Sequence, residues 1–175
     1  MTGALSKAYD VTNQSLDLPE LQGKPDEIAR HKVQLAAKLI NGPAIVEDVS
    51  LHFRAWNGMP GPYIKDFMTN LGCDGIFRAL QGCSSKVVTA VCTYAFCEGP
   101  EKEPVLFQGV CDGKVVFPRG DRSFGWDPIF QPIGFDLTFA ELPKDVKNQI
   151  SHRAEALKLV KKFLEDNQKR LAAKV

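Results

Sequence analysis

The chain has 175 residues, 44% of them hydrophobic, enough for one globular domain with a sizeable core. Its net charge of +1 argues against a strongly electrostatic nucleic-acid or membrane partner. Five cysteines (Cys73, Cys83, Cys92, Cys97, Cys111) without a CxxC pair, three histidines, no signal peptide and no apolar run long enough to span a bilayer predict a reduced, cytoplasmic protein without a disulfide frame or a His/Cys metal cluster.

No repeat, low-complexity segment or linker divides the sequence, so a single domain over residues 1–175 is expected. Val11 to Leu16 reads as a short strand, and Asp17 to Gly23 as a loop in which Glu20 is either a solvated acid or a carboxylate aimed at a site. A helix is predicted from Pro25. Proline suits the first turn, Asp26 and Glu27 complement the helix dipole, and Ala29, Val33, Ala36, Ala37 and Ile40 recur at helical spacing. Asn41-Gly42-Pro43 ends it. Lys32 lies at the edge of the apolar stripe and reads as a snorkelling surface lysine, unless a phosphate sits nearby.

Ala44-Ile45-Val46 reads as a short strand after a helix, in the manner of a βαβ unit, running into Glu47-Asp48 at its carboxyl end, where open α/β sheets gather ligands. Strand geometry sends the two acids to opposite faces, so one of them enters a site, where a hard divalent cation would want such oxygens; capping of the strand end is the other reading. Asn57 to Lys65, with two glycines and two prolines, predicts a stiff loop, followed by a short helix with Ile64, Phe67, Met68 and Leu71 on one face. Val87 to Cys97 predicts a strand, and Asp112-Gly113 between two apolar runs predicts a hairpin turn. Arg119-Gly120-Asp121 resembles an adhesion tripeptide and reads as a coincidence in a turn.

Ser123-Phe124-Gly125-Trp126-Asp127-Pro128 sets two aromatics around a glycine and follows them with a carboxylate. Gly125 permits a sharp turn or a close approach to a ligand, and Pro128 biases Asp127 to an extended conformation. The loop is either a core aromatic turn with an Asp cap or a holder for a planar ligand with a hydrogen-bonding edge. Near the C-terminus Ser151 is placed to cap a helix, with His152 and Arg153 in its first turn. Cations oppose the dipole there, so Arg153 either pairs with an acid or serves an acceptor-rich ligand.

Taken together, Leu18-Pro19-Glu20-Leu21-Gln22-Gly23, Val46-Glu47-Asp48, Gly58 to Lys65, Phe124 to Pro128 and Ser151-His152-Arg153 resemble the inosine triphosphate pyrophosphatases in order and spacing, from about residue 11 onward. The resemblance implies an α/β fold, an elongated mixed β-sheet flanked by helices, and a homodimer. It implies hydrolysis of ITP, dITP and XTP to the monophosphate and pyrophosphate, with Mg²⁺ as cofactor and Mn²⁺ as a substitute. Glu20 and Asp48 fall on the metal ligands, with Asp48 also the base for the attacking water. Lys32, Lys65 and Lys147 fall on phosphate contacts. Phe124, Gly125, Trp126, Asp127, His152 and Arg153 fall on the base pocket: Phe124 would stack on the purine, Asp127 accept from its N1–H, and His152 and Arg153 donate to its 6-keto oxygen. The family's first strand and Thr-Gly-Asn-x-x-Lys phosphate loop are not matched. Thr2-Gly3-Ala4-Leu5-Ser6-Lys7 lacks the asparagine and has no strand before it, so a shortened N-terminus and reduced activity are expected, or a non-catalytic, nucleotide-binding or dimerising form.

Overall fold

The computed structural model describes residues 11–172, with side chains to residue 167. Thr2 to Lys7 lies outside these residues. Residues 11–22 carry no regular element, so the strand expected at Val11 to Leu16 does not form; Val11, Leu16 and Leu18 instead lay apolar side chains against the core. Helix α1 spans Pro25–Ile40, with Pro in its first turn and Asn41 in the left-handed conformation as its C-cap. Its Ala29, Val33, Ala36 and Ala37 are buried, as their spacing requires.

Strand β1 is Ala44–Phe53, three times longer than the tripeptide expected, followed by a short β2 at Pro60–Gly61. Helix α2 is Ile64–Ala79, kinked at Gly72 (φ 61°). Ile64, Phe67 and Met68 reach the core, but Leu71 is exposed because the helical phase breaks one residue later. Strand β3 is Val87–Cys97, within the bounds expected, and β4 is Val105–Val115. β5 is Phe130–Pro132, α3 is Lys144–Ile150, and α4 is His152–Ala172.

The strands form one five-stranded sheet in the order β2-β1-β3-β4-β5. The α/β architecture with flanking helices is as expected. Every strand pairing among the described residues is antiparallel, however, so these residues show neither the mixed sheet expected nor a parallel βαβ unit at β1. β4 runs straight through Asp112-Gly113, and the expected hairpin turn is absent. Gly113 serves close packing: a Cβ there would lie 2.7 Å from the Gln131 carbonyl oxygen of β5. The actual connection from β3 to β4 is the segment at residues 98–104.

One face of the sheet carries α1, where Ala44, Ala95 and Cys97 pack on the alanine stripe. The other carries α4, where Ala156 and Val160 pack on Cys92, Tyr94 and Phe107. Beyond α4 this side continues into a second core, where Leu51, Phe53 and Val88 meet Ile64, Ile76, Trp126, Phe130 and Phe139. The aromatic loop is thereby anchored to one end of the sheet while α4 begins beside it.

Candidate active site

The eleven site residues expected from the sequence fall into two groups on opposite faces of β1. Alternation along the strand sends Asp48 toward α1 and Glu47 toward α4. Contrary to the sequence reading, both acids sit in mid-strand rather than at its carboxyl end, because β1 continues to Phe53.

The first group is Glu20, Lys32, Asp48 and Lys65. The Lys32 ammonium donates to Glu20 Oε2 at 2.8 Å and to Asp48 Oδ1 at 3.1 Å, and Lys65 donates to Glu20 Oε1 at 3.0 Å. Lys32 is only 9% exposed, so it is a buried bridging cation and not a snorkelling surface lysine. The Gly23 N–H donates to the Tyr63 hydroxyl at 3.1 Å, tying the Glu20 loop to the start of α2. Hydrogen bonds from Lys32 and then Lys65 hold Glu20 below the usual carboxylate range. Burial works against the Lys32 charge, but its two carboxylate partners outweigh it and raise the lysine pKa. Asp48 moves the other way: burial raises its pKa despite Lys32, and its Oδ2 is buried without a hydrogen-bond partner. The charge is therefore well satisfied on the lysine and poorly satisfied on Asp48.

The second group lines a cavity of about 1000 Å³ and comprises Phe124, Gly125, Trp126, Asp127, Lys147, His152 and Arg153. Gly125 takes φ 47°, with open space where a side chain would stand. Asp127 opens a short 3₁₀ turn, Asp127–Ile129, instead of the extended segment expected before proline. Phe124 is 57% exposed. Trp126 is buried, its ring 5.2 Å from Phe130 and 5.3 Å from the His152 imidazole, so it supports the pocket wall.

Asp127 is 6% exposed and bonded to Lys147, whose ammonium also stands 5.1 Å above the Phe124 ring. Burial raises the Asp127 pKa and Lys147 opposes the rise. Ser151 accepts from the Ala154 N–H at 3.2 Å, the cap expected from the sequence. It sets His152 and Arg153 at the first turn of α4. His152 is 3% exposed and its Nδ1 has no partner. Burial, then the Arg153 and Lys147 charges, push its pKa down to about 3, so the imidazole is neutral.

The geometry offers an exposed aromatic face, a buried carboxylate, a buried neutral imidazole and a guanidinium around one space. That combination suits a flat heterocycle with mixed donors and acceptors. Residues 3–163 match the Ham1 family. The chain belongs to the Ham1 family. Its relatives include the inosine triphosphate pyrophosphatase of Candida albicans (strain WO-1), 51% identical over 89% of this chain and 77% of that one. The inosine triphosphate pyrophosphatase of Tuber melanosporum (strain Mel28) is 53% identical over 91% and 86%. The Ham1 protein of Coxiella burnetii superposes with a TM-score of 0.80 at 31% identity, covering 86% of this chain and 81% of its own. The Staphylococcus aureus Ham1 protein gives 0.77 at 32%, covering 87% and 82%. The resemblance drawn from the motifs is thus borne out at the level of the family and of the fold.

In this Ham1 chain the sequence reading missed Glu47. It accepts from Arg153 Nε at 2.6 Å and from the Tyr94 hydroxyl at 2.9 Å. The signal was present in the adjacent acids of a strand, which must serve both faces; only one was assigned a role. Arg119 of the adhesion-like tripeptide is engaged internally, donating to Glu141 at 3.1 Å and to the Asp136 carbonyl at 2.8 Å.

Proposed function

We propose that this chain hydrolyses the non-canonical purine nucleoside triphosphates ITP, dITP and XTP to the monophosphate and pyrophosphate, as a nucleoside triphosphate pyrophosphatase of the cytoplasm working as a homodimer. The cavity that joins Phe124, Asp127, His152 and Arg153 carries the reading. Phe124 offers its free face to the purine ring. The Asp127 carboxylate accepts from N1–H, while the neutral His152 and the Arg153 guanidinium donate to the 6-keto oxygen. Adenine presents an amino donor and a bare N1 acceptor at those atoms, leaving buried partners unpaired on both sides. A site built this way rejects the wrong base by roughly 10⁴-fold or more.

Lys32, Lys65 and Lys147 supply positive charge for the triphosphate. Glu20 and Asp48 are oxygen donors, and the partnerless Asp48 Oδ2 fits a hard divalent cation, Mg²⁺ with Mn²⁺ as a substitute. Such a cation, when bound, neutralises charge that develops on the phosphates. Water attacks the α-phosphorus, the bond from that phosphorus to the bridging oxygen breaks, and pyrophosphate leaves. Asp48 takes the water proton, a role suited to a carboxylate whose pKa burial raises.

Pyrophosphate release from ITP, dITP, XTP and ATP with Mg²⁺ tests the reading. The first three are expected to turn over, with ATP slower by roughly 10⁴-fold. ATP turnover at the ITP rate, or no turnover of ITP, defeats it.

A further inference from the structure

Glu47 and Tyr94 stand directly opposite each other in the β1–β3 register, on the face that packs against α4. The register lets the Tyr94 hydroxyl donate to Glu47 Oε2 at 2.9 Å, while Oε1 accepts from Arg153 Nε at 2.6 Å. The Glu47 side chain is 14% exposed and Tyr94 is fully buried, whereas the Arg153 side chain is 37% exposed and lines the cavity. Arg153 therefore spends Nε on the protein, and its two terminal amino groups have no protein partner among the described residues.

We propose that Glu47, braced by Tyr94, is a positioning residue that fixes the Arg153 guanidinium at the base pocket and so determines purine specificity. The inference rests on the functional reading above and assigns part of that reading's selectivity to Glu47, which does not itself line the cavity. A guanidinium is planar, so holding Nε at one carboxylate oxygen restricts where its terminal N–H groups point. A fixed pair of donors distinguishes a keto oxygen from an amino group; a swinging side chain adapts to either. Cementing α4 to the sheet does not require the ion pair, because Ala156 and Val160 already pack on Cys92 and Phe107 there. A buried acid among such apolar neighbours is costly to desolvate, and the Arg153 and Tyr94 hydrogen bonds offset that cost while fixing the guanidinium.

Calorimetric binding of IMP and AMP to the wild type, Glu47→Ala, Glu47→Gln, Tyr94→Phe, Arg153→Ala and the Glu47→Ala/Arg153→Ala double variant tests this. Loss of a charge-assisted hydrogen bond predicts that Glu47→Ala weakens IMP binding about tenfold or more and changes AMP binding far less. Glu47→Gln and Tyr94→Phe, which preserve shape, lower the IMP-to-AMP affinity ratio by smaller factors. In the Arg153→Ala background, Glu47→Ala adds no further loss, because the residue acts through Arg153. If Glu47→Ala does not fold, the two shape-preserving variants carry the test. Equal weakening of IMP and AMP, or losses that multiply in the double variant, overturn the positioning role. A wild type that binds IMP selectively but does not hydrolyse ITP overturns the proposed activity alone, and one that binds no IMP overturns both.

Discussion

Replacing Asp127 by Asn exchanges an acceptor oxygen for an amino group in a site only 6% exposed. The preference for ITP over ATP should fall at least about tenfold, since a charged acceptor is lost and a donor takes its place. The ratio of kcat/KM for the two substrates measures it, and an unchanged ratio removes Asp127 from base recognition. Asp48→Asn should abolish pyrophosphate release while thermal stability changes by no more than about 1 kcal/mol. Burial already disfavours the Asp48 charge, and Lys32 keeps Glu20 as a partner. A variant that fails to fold, by circular dichroism, would show that Asp48 is there for packing. His152 leaves a signature in stability. Unfolded, it takes up a proton near its ordinary value of 6.5; folded, it stays neutral down to about 3. Its stabilising contribution is thus complete above pH 6.5 and declines as pH falls toward 3, at about 1.4 kcal/mol per pH unit within that window. Burial lowers the His52 pKa as well, with the same sign, so the measurement is a difference. Between pH 6.5 and 5.5 the wild type should lose about 1 kcal/mol more in denaturant melts than His152→Gln. Parallel pH dependences would show that His152 titrates normally in the fold.

Helix α4 delivers His152 and Arg153 to the pocket, and its height above the sheet is set by Gly109 of β4. A Cβ at Gly109 would lie 2.1 Å from the Ala156 nitrogen and from the His152 carbonyl oxygen. Only glycine lets the helix approach so closely; a lone glycine inside a strand signals a close backbone approach, which the sequence reading did not draw. Gly109→Val should destabilise the protein by about 3 kcal/mol or more, at or beyond the upper range for overpacked cores. It should also raise KM for ITP, because the first turn of α4 moves outward. Gly82→Val, where a Cβ meets nothing within 4 Å, serves as the control. Equal melting temperatures for the two variants would dissociate α4 height from Gly109. Just past the end of α2, Lys86 donates to the carbonyl oxygens of Leu80, Gln81 and Cys83 and so pins the turn that follows the helix.

At the scale of the whole molecule, the proposed homodimer predicts a light-scattering mass twice that of one chain at micromolar concentration; a single-chain mass would exclude that assembly. The sequence by itself determined the elements whose signals are local. Helix α1 follows from a 3.6-residue stripe and its end signals, β3 from a run of β-branched and aromatic residues, and the α4 cap from Ser151. The family was legible too, because Phe124 to Pro128 and Ser151 to Arg153 are short motifs that carry their chemistry in contiguous residues. What joins distant segments was decided by the tertiary structure. β1 reads as a tripeptide because polar residues interrupt it, yet it extends to Phe53 because β3 supplies a hydrogen-bonded partner along its whole length. Asp112-Gly113 has the composition of a turn, but β5 packs so closely at Gly113 that the same pair lies inside a strand. Lys32 looks like a surface lysine until Glu20 and Asp48 close around it. Glu47 gains Tyr94 from the β3 register and Arg153 only when α4 docks on that face. Hydrophobic periodicity specifies which side of an element is buried; the charges that meet across the burial depend on register and helix docking, which are long-range packing outcomes.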